Sequence, residues 1–273
     1  QLVGATRADA VHALLSQMDG TVQTPLPNFV FENGTEYWIR GDYDEPGRQS
    51  FRVARDREIS QFRTWWVSEM IETTKPQNER LLLFWTDHFP VGYSAINEES
   101  LAIAKQHLMF RQHGFGNFKT LVKAIIRDPA MLNYLNGENN NKKAPNENLA
   151  RELMELFVLG EGAYDEKTVK EAARALTGKS INRIKGFEYY LYRRRYDRSV
   201  KTLFGKKGHF DGDDLIDILF QQPTASRFLT EKLWSYYVSE TEQNQSELEQ
   251  ISQSFRKSNF EIPVLLAEIF STP

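Results

Sequence analysis

PNENLARELMELFVLG, residues 145–160, decides the fold class. Leu149, Leu153, Leu156 and Phe157 recur at i, i+4, i+7 and i+8, which lays an apolar stripe along one side of an α-helix, and Gly160 stands where such a helix stops. The next segment, YDEKTVKEAARALTG over 164–178, repeats the logic: Asp165 is placed to cap the start, and Gly178 to end the helix. Two consecutive helices therefore form the centre of the expected fold.

The flanking sequence has the same grammar. Thr6 precedes Val11, Leu14 and Leu15, predicting a helix over 8–18. Ile59, Phe62, Trp66 and Met70 predict a second, and Pro76 a third that carries Leu81, Leu82, Trp85 and Phe89. Helices are expected over 97–113 and from Asn117 until Pro129 interrupts, and later over 211–220, 223–238, 246–256 and 262–270. Residues 20–50 mix proline, glycine and aromatics without a period and read as an irregular surface excursion anchored by Trp38 and Tyr43. Residues 187–192 alternate as a strand, with 200–204 as the expected hairpin partner. The expectation is mainly α: one multi-helix globular domain over 1–273 with a small β-ribbon near 187–204.

Composition narrows the function. The 273 residues are 40% apolar, 12% aromatic and 26% charged, a folding composition. A net charge of −3 supplies no overall field for nucleic acid or an anionic membrane, and nucleic acid is not an expected partner. Apolar runs such as Leu81-Leu82-Leu83-Phe84-Trp85 are far short of the roughly 20 residues that cross a bilayer, so no membrane span is expected. There is no cysteine, so any metal would rest on His, Asp, Glu, Asn or carbonyl oxygen. A first residue of Gln rather than Met suggests an upstream signal segment, hence an exported or periplasmic protein.

The side chains that could carry chemistry crowd the decisive segment. At about 100° per residue, Glu147, Arg151 and Glu155 form one ridge, with Glu152 close to Glu155. Arg151 and Arg174 could each clamp an anionic group, but an arginine held between Glu147 and Glu155 as an internal strut explains the same residues and is the preferred reading. Asn136, Asn139, Asn140, Asn146 and Asn148, with Glu138 and Glu147, offer calcium-type oxygens at a spacing unlike an EF-hand loop. Arg193-Arg194-Arg195, Arg198, Lys201, Lys206 and Lys207, interleaved with tyrosines, read as a solvated ribbon in preference to a phosphate-polymer site. Nucleophile elbow, phosphate loop, dinucleotide and zincin-helix motifs are absent.

The 145–178 stretch, together with FWTDHF at 84–89, RDPAMLNYLNG at 127–137, YDRSVKTLFG at 196–205 and RFLTEKLW at 227–234, resembles the bacterial domain-of-unknown-function 1800 family. The resemblance implies a helical, often exported bacterial protein without a settled activity, frequently encoded beside a sulfatase-like partner family. Relatives usually continue beyond Ser271-Thr272-Pro273, so a short or truncated form is expected here. The family pattern would place histidines where this chain has Thr86 and Tyr196, leaving His88, Glu152, Glu155 and Asp197 as the remaining His/carboxylate set for a divalent metal. Two functions are carried forward. One is an exported scaffold or binding module acting through a partner, with Asn146, Glu147, Asn148, Arg151, Arg174 and Asp197 as candidate binding residues. The other is a metal-dependent hydrolase on His88, Glu152 and Glu155.

Overall fold

In the computed structural model, which describes residues 4–31, 45–242 and 244–272, helices dominate and two small antiparallel ribbons accompany them. The helices are α1 (Arg7–Leu15), α2 (Glu45–Glu72), α3 (Pro76–His88), α4 (Ser100–His113), α5 (Phe118–Ile125), α6 (Pro129–Tyr134), α7 (Asn148–Glu152), α8 (Glu166–Ala175), α9 (Gly212–Leu219), α10 (Thr224–Tyr237), α11 (Gln245–Lys257) and α12 (Ile262–Ser271). Their starts follow the side chains. Asn117, Asp128 and Asp165 each accept the backbone N–H three residues on, and Thr6 and Asp211 form reciprocal capping boxes. Pro129 opens α6 instead of merely ending α5, because a first-turn proline gives up no helical hydrogen bond.

The principal core gathers Trp85 and Phe89 of α3, Phe118 and Leu121 of α5, Leu153 and Phe157 after α7, Leu215 of α9, Leu229 of α10 and Leu265 of α12. A smaller cluster of Phe29, Ile59, Phe62, Trp65 and Ala104 lies between α2 and α4. Among the described residues no helix is long and apolar enough to cross a membrane.

Three expectations are corrected. First, the helix of the decisive segment is not uniform: α7 passes into a π-helical turn over Leu153–Val158, where Leu159 N donates to the Met154 carbonyl five residues back at 2.9 Å. The wider turn breaks the 100° arithmetic, so Leu153, Met154, Phe157 and Val158 are buried while Leu156 faces outward, 43% exposed. Second, the ribbon strands pair locally. β2 (Glu188–Leu191) joins β1 (Lys179–Asn182), with Ser180 opposite Tyr190, and β3 (Lys201–Leu203) joins β4 (Lys206–Gly208). Phe204 and Gly205, at φ 48° and 79°, give the second hairpin the two positive-φ residues of a type I′ turn, a shorter closure than pairing back to residue 187. Third, the irregular stretch ends before residue 50, since α2 begins at Glu45, and its start is tied down: Gln23 N and Thr24 N each donate to the Glu69 carboxylate at 2.8 Å. Trp38 and Tyr43, expected as anchors, lie outside the described residues, as do Gln1 and Pro273.

Candidate functional site

The asparagine-rich loop before α7 is held by its own amides. Asn140 is 1% exposed; its Oδ1 accepts from Asn146 N at 3.0 Å, its Nδ2 donates to the Ala173 carbonyl at 2.8 Å, and its carbonyl accepts from Gly178 N at 2.9 Å. Asn146 Oδ1 in turn accepts from Asn148 N at 3.0 Å. Two of the oxygens read as calcium donors, Oδ1 of Asn140 and of Asn146, are thus spent on backbone N–H groups. Glu138, from the same set, is held by Arg183 through bonds of 2.7 and 2.6 Å.

On α7, Arg151 reaches Glu147 at 3.1 Å but takes its other partner from α8: Glu166 accepts twice, at 2.7 and 2.9 Å. The strut therefore exists with Glu166 in place of Glu155, because the π-turn moves Glu155 off the ridge. Glu155 accepts instead from the Tyr164 hydroxyl at 2.7 Å, and burial together with that carboxylate raises the Tyr164 phenol above its ordinary value. Burial first, then the charge of Glu155, raises the Glu152 carboxyl, with Arg151 opposing. The ridge is half-exposed, with Arg151 at 34% and Glu166 at 68%.

His88 faces the other way. It is 5% exposed among Phe84, Phe89, Phe118, Phe157 and Phe228, and its Nε2 lies 3.0 Å from the Phe157 carbonyl, which requires that nitrogen to be the donor. Burial holds the imidazole down to about 3, so it is neutral, and among the described residues Nδ1 has no hydrogen-bond partner. His88 is thereby a cap on the end of the π-turn and does not join Glu152 and Glu155. Among the described residues no group of three or more His, Asp or Glu side chains is arranged to hold a metal ion.

At the end of α8, Arg174 uses its whole fork. Nε donates to Asp197 at 2.8 Å, Nη1 to Glu171 at 2.6 Å, and Nη2 to Ser199 Oγ and, at 3.1 Å, to the Val200 carbonyl. Asp197 also accepts from Ser199 N at 2.8 Å; burial would raise its carboxyl, but these hydrogen bonds and the guanidinium prevail and hold it at about 2. Glu171 Oε2 accepts from Thr202 N at 2.7 Å, and Asp197 N donates to Thr177 Oγ1 at 2.8 Å. Gly178, at φ +80°, lets the chain turn beneath Tyr196, whose backbone a Cβ would meet at 3.0 Å. The residues 197–202 are a strap riveted to α8.

Arg174 and Asp197 thus meet at the end of α8, Asn146 is tied to that helix only through Asn140, Glu147 and Arg151 sit on the α7–α8 ridge, and His88 stands apart inside the core. Sequence reasoning missed Asn140 as the loop's keystone and Glu171, Thr177 and Ser199 as Arg174's network. Glu171 alone left a signal, lying three residues before Arg174 on one helical face.

A family description, Protein of unknown function (DUF1800), matches residues 2–273. No match was found among curated proteins or among solved structures.

Proposed function

The chain belongs to the DUF1800 family, and on that premise we propose that it is an exported helical scaffold that works by binding a partner protein. One observation supports this above others: the arginine and aspartate best suited to grip a substrate, Arg174 and Asp197, spend their hydrogen-bonding capacity on each other and on the strap they rivet. A sulfatase-like protein is the first partner to try. Affinity capture on the folded protein from an envelope fraction of the native host should enrich one protein at near-equal amounts, and a fraction that yields none, or a native protein found in the cytosol, counts against the reading.

A second reading, metal-assisted hydrolysis, draws on the adjacency of Glu152 and Glu155, since a carboxyl raised by burial and then by a like charge is one a cation would relieve. Elemental analysis of protein purified without chelator decides it: a stoichiometric divalent metal lost in Glu152→Gln would favour the hydrolase.

A further inference from the structure

The loop between β2 and β3 leaves the molecule from two fixed points. Tyr192 N donates to the Gly178 carbonyl at 2.7 Å, and Asp197 N is held on Thr177. Between these pins Arg195 N closes a turn on the Tyr192 carbonyl at 2.9 Å, and Arg193, Arg194 and Arg195 are all exposed. Lys142 N donates to the Arg195 carbonyl at 2.8 Å, which sets the exposed Lys142 and Lys143 alongside, and Arg198 is exposed just past the second pin. Among the described residues Lys142, Lys143, Arg193, Arg194 and Arg198 make no ion pair. The nearby acids Glu138 and Asp197 are already taken by Arg183 and Arg174. On a chain of net charge −3, this is a local concentration of positive charge, bounded on one side by Asp211 and Asp214, which face Tyr196.

The chain exposes apolar side chains on either side of this loop. Tyr190, Leu191 and Tyr192 are 45%, 41% and 37% exposed immediately before the arginines, and Val200 is 50% exposed after them. We propose that this surface docks the protein on a membrane rich in anionic lipid, its cations on the phosphates and its apolar side chains in the interfacial layer. Aliphatic side chains gain nothing from a dissolved polyanion, whereas the lipid interface accepts both kinds of group. Single-stranded nucleic acid is held by bases stacking on open aromatic faces, and the Tyr192 ring is already covered by the Arg195 guanidinium, 5.3 Å from its centre. Because the loop is pinned at both ends, little ordering is lost on docking.

Co-sedimentation with vesicles tests this. The protein should bind phosphatidylcholine vesicles that contain phosphatidylglycerol, ignore pure phosphatidylcholine, and be released by salt. Each cation at the surface contributes about fivefold, so R193S/R194S/R198S should bind on the order of a hundredfold more weakly while melting like the parent. Arg195 is spared because its side chain lies on Tyr192. Leu191→Ser with Val200→Ser should weaken vesicle binding but leave retention on a cation exchanger unchanged. Equal binding to both vesicle types, or an unaffected triple variant, overturns the proposal. So does an RNA homopolymer bound more tightly than the vesicles, or release by inorganic phosphate well beyond that by chloride at matched ionic strength, which would mark a site for polyanions or small anions.

Discussion

Two arginine–glutamate forks in this molecule have nearly the same geometry and opposite standing. Arg111 of α4 grips Glu79 of α3 at 2.9 and 2.7 Å, and Arg151 of α7 grips Glu166 of α8 at 2.7 and 2.9 Å. The first pair is 4% exposed on both sides, the second 34% and 68%. The buried fork is also completed by others: Arg111 Nε donates to His107 at 2.9 Å, Trp66 Nε1 donates to Glu79 at 2.8 Å, and burial with the nearby guanidinium keeps His107 neutral. Distances therefore say little about what an ion pair does for the fold, and the surrounding dielectric says most.

The comparison can be broken experimentally. Arg111→Met leaves Glu79 charged and unpaired in the core, and should cost about 3–5 kcal/mol, lowering the melting temperature by on the order of 10 °C. Asp128 sharpens the point as a buried acid with no arginine at all. It is 4% exposed, accepts from Met131 N at 2.8 Å and Gln106 Nε2 at 2.9 Å, and burial pushes its carboxyl up to about 7. The folded value lies above the ordinary one, so the folded state favours the proton. Its stabilising contribution is complete below about pH 4 and is lost as pH rises to about 7, on the order of 4 kcal/mol in all. Asp128→Asn keeps both accepted bonds and should abolish that decline in melting temperature across the same range. A slope that survives the substitution would assign it elsewhere.

Arg174 is intermediate, 25% exposed with three charged or hydroxyl partners. Arg174→Met should cost on the order of 2 kcal/mol and open residues 197–202 to proteolysis, with a strap as resistant as before speaking against its role as rivet. Arg151→Met should move the melting temperature by no more than about two degrees. A fall matching that of Arg111→Met would erase the distinction between the forks.

What could be read from sequence was whatever acts over one helical turn. The caps at Asn117 and Asp165 and the terminating Gly160 and Gly178 are local statements and legible as such, whereas the cap at Asp128 is hidden behind the reading of Pro129 as a mere interruption. The partners of the charged groups were not. Glu79 and Arg111 are 32 residues apart, and Arg174 and Asp197 are 23 apart, distances over which no periodicity speaks. Pairing Arg151 with Glu155 rests on the assumption of a uniform helix. The same assumption turned Leu156 inward, when the structure leaves it in solvent. The expectation that basic and tyrosine residues near 193 form a solvated ribbon was right about exposure, but could not show that the neighbouring carboxylates are already engaged.

The π-turn after α7 also links two positions that no contact map of ideal helices would connect. A π-turn is an α-helix carrying one surplus residue. In a relative one residue shorter between Leu153 and Val158, the turn would tighten, the carbonyl of Phe157 would swing away from His88, and a donor at position 88 would have nothing to cap. Length in one segment and identity in another should then vary together through the family, an insertion and a histidine inherited as a single trait.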